Sequence, residues 1–206
     1  MPWSWWWMVG CPLLSPTESA GQCDREVIAL KEHLEMVQAQ LSTCSSGAAK
    51  SKLYTELNQV FSGTDVQVDR QGTAIRLRVK VSTLYADPYL LKFRTESEAT
   101  VGLLASALER NPDAHVLVVG HTNDRPLPQN VRRTYASKVD WSARLAEQLV
   151  QRFVESYQCD PAQFTVAGRG EHSPLESNDL ETGRDANARL EIWFYEAESP
   201  PDPSIP

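Results

Sequence analysis

The chain has 206 residues, room for one ordinary domain with appendages or two small ones. Hydrophobic residues make up 41% and charged residues 23%, enough to bury a core and stay in solution. Twenty Lys+Arg against twenty-seven Asp+Glu leave a formal charge of -7, which argues against a nucleic-acid binder, whose affinity comes from neutralising phosphates. No apolar run approaches the ~20 residues a membrane-spanning helix needs, and four cysteines at these spacings make neither a disulfide scaffold nor a zinc site.

In chain order, residues 1–22 read as a signal-like segment and a tether. Trp3, Trp5, Trp6, Trp7, Met8 and Val9 form a short apolar stretch, and Val9-Gly10-Cys11 looks like the cleavage box of a bacterial lipoprotein, with Cys11 as the lipidated residue. The stretch lacks Lys and Arg before it and is short, so an unstructured aromatic start, or a true start further upstream, stays open. Pro12 to Gln22 reads as a flexible linker.

Residues 23–44 read as a coiled-coil helix. Val27, Leu30, Leu34, Val37 and Leu41 recur at alternating intervals of three and four, and Cys23 and Cys44 extend the seam at d-type positions. In a parallel homodimer each cysteine faces its copy, so both are candidates for interchain disulfides in an oxidising compartment. The alternative is an amphipathic helix packed on its own domain, with the cysteines as small apolar fillers.

The folded domain is expected over residues 52–196. Leu53, Leu57, Val60 and Phe61 suggest a short helix closed by Gly63. Val66–Asp69 and Ala74–Val81 flank a polar turn and read as a hairpin, with Ile75, Leu77, Val79 and Val81 forming the one buried side of its second strand. Thr95 and Glu98 make a capping box for a helix that turns Val101, Leu104 and Leu108 inward and stops at Asn111-Pro112. Val116–Val119, apolar on both faces, suits a central strand. A long loop to Lys138 precedes a helix capped near Asp140 or Ser142 and running to about Tyr157. A short strand at Phe164–Val166, a loop over Gly168–Thr182 and a last strand at Arg189–Tyr195 follow; residues 197–206 form a Pro-rich tail. The pattern is an α/β (α+β) two-layer sandwich with a mixed sheet.

Four fragments fall at the ends of these elements: Val119-Gly120-His121-Thr122, Gly168 with Pro174, Gly183-Arg184, and Asn187 before Arg189-Leu190-Glu191-Ile192. In that order they resemble the OmpA-like C-terminal domain shared by outer-membrane protein A, the peptidoglycan-associated lipoprotein and the flagellar stator protein MotB. Arg125-Pro126 and the tryptophan at the head of the next helix resemble the MotB branch. The resemblance implies non-covalent binding of peptidoglycan. An aspartate directly after Gly-His-Thr and an arginine on the following helix hold the amine and carboxylate of diaminopimelate. Such a zwitterionic end needs one fixed anion and one fixed cation, and glycines let backbone approach it closely.

This chain departs from that pattern at both positions. Asn123 stands where the aspartate is expected, with Asp124 one step later. The family's Leu-Ser-x-x-Arg-Ala falls on Trp141-Ser142-Ala143-Arg144-Leu145-Ala146, so the arginine position is Leu145 and Arg144 lies one residue early, about 100° around the helix. An alternative alignment on Asp140-Trp141 puts Glu147 there instead. In the last motif Ala188 replaces the first of two arginines and Arg189 remains. The candidate peptidoglycan-binding residues are therefore Thr122, Asn123, Asp124, Arg144, Arg184, Asn187 and Arg189. Arg184, Asn187 and Arg189 also admit a plain structural role.

His33, His115, His121 and His172 are scattered, with no ligand-spaced acids or thiols, so no metal or other cofactor is expected, and His121 reads as a structural hydrogen-bonding residue. No nucleophile elbow or phosphate loop appears, and an enzyme is not expected. Two roles remain. The first is a periplasmic envelope anchor, lipidated on Cys11 and attached to the outer membrane of a Gram-negative bacterium, that grips the cell wall. The second is an interaction module of a motility or secretion machine that has lost wall binding. The first requires Asp124 and Arg144 to converge.

Overall fold

The computed structural model describes residues 28, 30–38 and 52–195. The chain divides into two units, Met1–Ala48 and Ala49–Pro206. Cys11, Cys23, Cys44, the tether at 12–22, seam residues Val27 and Leu41 and the 197–206 tail lie outside the described residues. In the first unit, residues 30–38 are helical, and Leu30 and Leu34 of the expected seam stand exposed.

The second unit begins with helix α1 over residues 52–60, which buries Leu53 and Leu57. Strands β1 (Gln67–Gln71) and β2 (Ala74–Lys80) form the expected hairpin, turning at Gly72 in the left-handed region that glycine tolerates. A one-turn helix α2 (Val81–Leu84) and a small ribbon, β3 (Tyr85–Asp87) and β4 (Lys92–Phe93), come next. Helix α3 (Ser97–Glu109), strand β5 (His115–His121), helix α4 (Gln129–Thr134) and the long helix α5 (Lys138–Tyr157) follow. Strand β6 (Phe164–Gly170), helix α6 (Glu181–Asn187) and strand β7 (Arg189–Tyr195) complete the domain.

The main sheet runs β1-β2-β7-β5-β6, antiparallel except for the parallel β5–β6 pair. That is the mixed sheet expected, with β5 paired on both sides. One face packs with α1, α3 and α5 into the main core, which holds Leu57, Leu77, Val79, Leu104, Val118, Leu149, Phe153 and Ile192. Both faces of β2 and β7 are buried, whereas one buried side was expected for β2. On the second face Ala74, Leu117, Val119 and Trp193 form a smaller cluster, and the Arg76 guanidinium lies 5.0 Å over the Trp193 ring. Burial of Arg76 is tolerable because Asp69 accepts from it at 3.0 Å.

Helix ends differ from expectation in two places. Thr95 and Glu98 form no capping box: α3 starts without a side-chain cap, and the Glu98 carboxylate instead accepts from Arg152 and Tyr157. The cap of α5 is Ser137, whose side-chain oxygen accepts from the Asp140 N–H at 3.1 Å. Helix α4 lies inside the stretch expected to be a loop, and α6 starts at the end of the expected Gly168–Thr182 loop and runs over residues to which no element was assigned.

Candidate functional site

The end of β5 and the start of α5 meet backbone to backbone. A Cβ on Gly120 would sit 1.8 Å from the Ser142 carbonyl oxygen, and one on Gly168 would sit 2.2 Å from that of Val139. The Ser142 hydroxyl accepts from the Gly170 N–H at 3.0 Å and donates to the Val139 carbonyl at 2.8 Å. These glycines thus bring helix and strands together, rather than opening backbone to a ligand as the resemblance implied.

Beside this junction, at the C-terminal end of β5, lies a small cavity of about 50 Å³. Val81, Pro88, Tyr89, Leu127, Trp141 and Leu145 make an apolar wall, and Thr122, Asn123 and Arg125 supply the polar side. Tyr89 and Tyr135 both pack on the Trp141 ring. The Thr122 hydroxyl is buried without a hydrogen-bond partner among the described residues. Strand ends of α/β sheets are where ligands seat, because loops and helix starts converge there.

A chain of alternating charges runs beside the cavity. Asp124 pairs with Arg184 at 3.2 Å, Arg184 lies 3.6 Å from Glu181, and Glu181 also pairs with Arg125. The Asn123 side chain is bound within the fold, accepting from the Arg125 N–H and donating to the Arg184 carbonyl. The Lys138 ammonium donates to the carbonyls of Asn123 and Asp124, at 3.3 and 2.7 Å, and to the Glu171 carboxylate.

Of the residues singled out from sequence, Thr122 and Asn123 line the cavity, and Asp124 with Arg184 stands next to it. Arg144 does not join them. Its guanidinium pairs with Glu147 at 2.7 Å and also interacts with Tyr135, while Leu145 lines the cavity. Asp124 and Arg144 thus pair with other residues and not with each other, so the pair that wall binding was expected to require is not formed, and any wall binding uses other residues of this end of the sheet.

Asn187 and Arg189 spend their hydrogen bonds inside the fold. Asn187 accepts from the N–H groups of Leu175 and Glu176 and donates to the Glu176 carbonyl and to Asn178, which fixes the loop before α6. Arg189 is buried, paired with Glu191 at 2.7 Å and donating to the Ser173 carbonyl. Neither guanidinium nor amide is left for a ligand.

His121 also departs from its expected hydrogen-bonding role. It is 1% exposed, and neither ring nitrogen has a hydrogen-bond partner among the described residues; Glu191 lies 3.7 Å away. Burial, and then the charges of Arg189, Arg169 and Arg76, push its pKa down to about 3, so the ring is neutral.

Sequence reasoning missed Arg125 and Tyr89 as cavity residues. The signal for Arg125 was present: with Leu145 at the helix position, a cavity cation must come from elsewhere. Tyr89 carried no periodic signal.

Residues 89–188 match the model of the OmpA family. Motility protein B of Bacillus subtilis (strain 168) is 24% identical over 127 residues, 61% of this chain and 48% of that protein. The chain thus spans about half the length of the curated relative it matches. A MotB-like protein from Desulfovibrio vulgaris superimposes with a TM-score of 0.65 at 23% identity, over 76% of this chain and 96% of that one. The cell wall anchor of the T6SS from Pseudomonas aeruginosa gives 0.60 at 25% identity, over 70% and 96%. The periplasmic domain of Helicobacter pylori MotB gives 0.59 at 20% identity, over 66% and 82%.

Proposed function

We propose that this chain, which carries an OmpA-family domain nearest to the MotB branch, binds peptidoglycan non-covalently and anchors an envelope assembly to the cell wall. The observation that carries the reading is the strand-end cavity. There the Gly120-His121-Thr122-Asn123 segment faces Trp141 and Leu145 of α5, and the buried Thr122 hydroxyl has no protein partner among the described residues. The cavity itself is about 50 Å³, so a stem peptide containing diaminopimelate would seat across its mouth, on the Thr122–Arg125 loop, rather than inside it. The likeness to the cell wall anchor of the T6SS supports the same reading. The role is anchoring rather than catalysis.

The rest of the chain fits an anchor. Lipid on Cys11 would hold it in the outer membrane of a Gram-negative bacterium, facing the periplasm, and residues 12–22 would be the tether. A homodimer through residues 23–44 would join two wall-binding domains and two tethers, so that each weak contact gains from the other. Exposed Leu30 and Leu34 on the described helix favour that dimer, with Cys23 and Cys44 as its interchain disulfides.

One observation favours a second reading, a protein-interaction module of a motility or secretion machine. Leu145 faces the cavity where a ligand-gripping arginine was expected, and Arg144 points elsewhere. Titration of a soluble diaminopimelate muropeptide into the isotope-labelled chain decides between the two by NMR. Wall binding predicts shifts confined to the amides of residues 122–125 and 141–145. No shift with the fragment in excess overturns it in favour of the second reading.

A further inference from the structure

We propose that the open edge of the main sheet, strand β6 with the flank of helix α5 above it, is a contact between two copies of this chain, paired antiparallel about Val166. This contact is independent of what the strand-end cavity binds.

The two edges of the sheet differ. Strand β1 carries Asp69 and Arg70, charges of the kind that keep an edge from pairing. Strand β6 pairs only with β5 among the described residues, and Phe164-Thr165-Val166-Ala167-Gly168 holds no charge. Thr165 and Val166 are both exposed, so the edge is open. An open, uncharged edge is a template for another strand.

The helix above extends the same surface. Successive residues turn about 100° around α5. Trp141 and Leu145 line the cavity on one side, so Val139, Ala143, Val150 and Val154 share the opposite side. That side overhangs β6, where Gly168 meets the main chain of Val139 and Ala143. Val139 is exposed and the other three are half-buried, an apolar stripe left partly in solvent.

A second copy covers both features at once, whereas a lone foreign strand would cover only the edge. Helix α5 straddles the two outer strands, because Gly120 of β5 and Gly168 of β6 both meet its main chain. Pairing β6 with its copy therefore sets the two α5 axes two strand spacings apart, about 9–10 Å, the distance at which helices pack. Sheet twist over those two steps, about 40–50°, matches the commonest helix crossing angle. The register also fits. Gly168 lies under residues 139–143 and Phe164 stacks on Phe153 at 5.8 Å, so Val166, midway, lies under the α5 turn around Ala146 and Glu147. A two-fold axis there sets Ala143 against Val150 of the second copy and Val139 against Val154, while Thr165 meets Ala167 on the strands. Glu147, beside the stripe, stays on its own Arg144 at 2.7 Å.

Cysteine cross-linking of the full chain tests this, with the four native cysteines replaced by serine and folding checked by circular dichroism. Facing residues of an antiparallel pair have Cα atoms about 4.5–5.5 Å apart, within disulfide range, so Val166→Cys should link to its own copy under mild oxidation. Arg70→Cys, on the charged edge, shares any contact made elsewhere in the chain and should give at least about tenfold less covalent dimer. Adding Val154→Lys, outside the buried core, should lower the Val166→Cys yield at least about fivefold. Equal yields from Val166→Cys and Arg70→Cys, or a Val166→Cys yield that Val154→Lys leaves unchanged, overturn the proposal. Neither result bears on wall binding, which the cross-link does not read.

Discussion

Arg189 and Glu191, two residues apart on one face of β7, form an ion pair at 2.7 Å with side chains only 2% and 1% exposed. The same carboxylate accepts from the Trp193 indole at 3.1 Å, so one acid organises the second face of the sheet. The alternation of β7 places these residues opposite Leu190 and Ile192, which belong to the helix-covered core. That relationship makes Arg189 a structural residue.

Arg189→Leu should therefore lower stability by about 2–3 kcal/mol, because it takes from the buried Glu191 its closer cation and leaves it only Arg76, at 3.9 Å. Urea denaturation measures the loss. Fragment affinity of the molecules that remain folded should stay unchanged, whereas a residue that grips ligand would lose affinity without losing stability.

Gly120→Ala should cost more than about 3 kcal/mol, since its Cβ would strike main chain rather than a side chain that can swing aside. The Ser142 carbonyl oxygen would lie 1.8 Å from it. A fall in melting temperature is the expected outcome; a variant as stable as the parent would show that α5 can retreat from β5.

The depressed pKa of His121 makes stability pH-dependent. Its folded value is about 3 against 6.5 unperturbed, so between those values the unfolded chain binds the extra proton. The contribution is complete above pH 6.5 and is lost as pH falls toward 3. Between pH 6.5 and 4.5 the parent should lose about 2 kcal/mol more than His121→Leu, in which that proton has no site. Urea curves of both proteins at the two pH values check it, and equal losses would contradict it.

How much of this was legible in the sequence follows from how local each signal was. The β1–β2 hairpin, the Val116–Val119 strand and the Arg189–Tyr195 strand announce themselves by period and turn residues within a few positions. Helix α4 has a single buried residue, Val131, and α6 buries only Gly183 and Asn187, so neither shows an apolar stripe. Burial of Arg76 and Glu191 was hidden because alternation reads charged positions as solvent-facing. Only pairing between distant strands shows that they neutralise each other.

The site divides the same way. Departures at Asn123 and Leu145 could be read directly, because they replace expected residues in a motif. The pairings that redefine the charge around the cavity could not. Asp124 meets Arg184 across 60 positions, and Arg125 meets Glu181 across 56.

The central claim, that the strand-end cavity holds the cell wall, is tested most directly by co-sedimentation. The full chain would be mixed with isolated diaminopimelate-type sacculi beside a Thr122→Val/Arg125→Ala double variant. The account predicts that the parent pellets with the sacculi and that the variant, folded by circular dichroism, is retained at least about tenfold less well. A parent protein that stays in the supernatant with sacculi in excess, or a double variant that pellets equally, would contradict it.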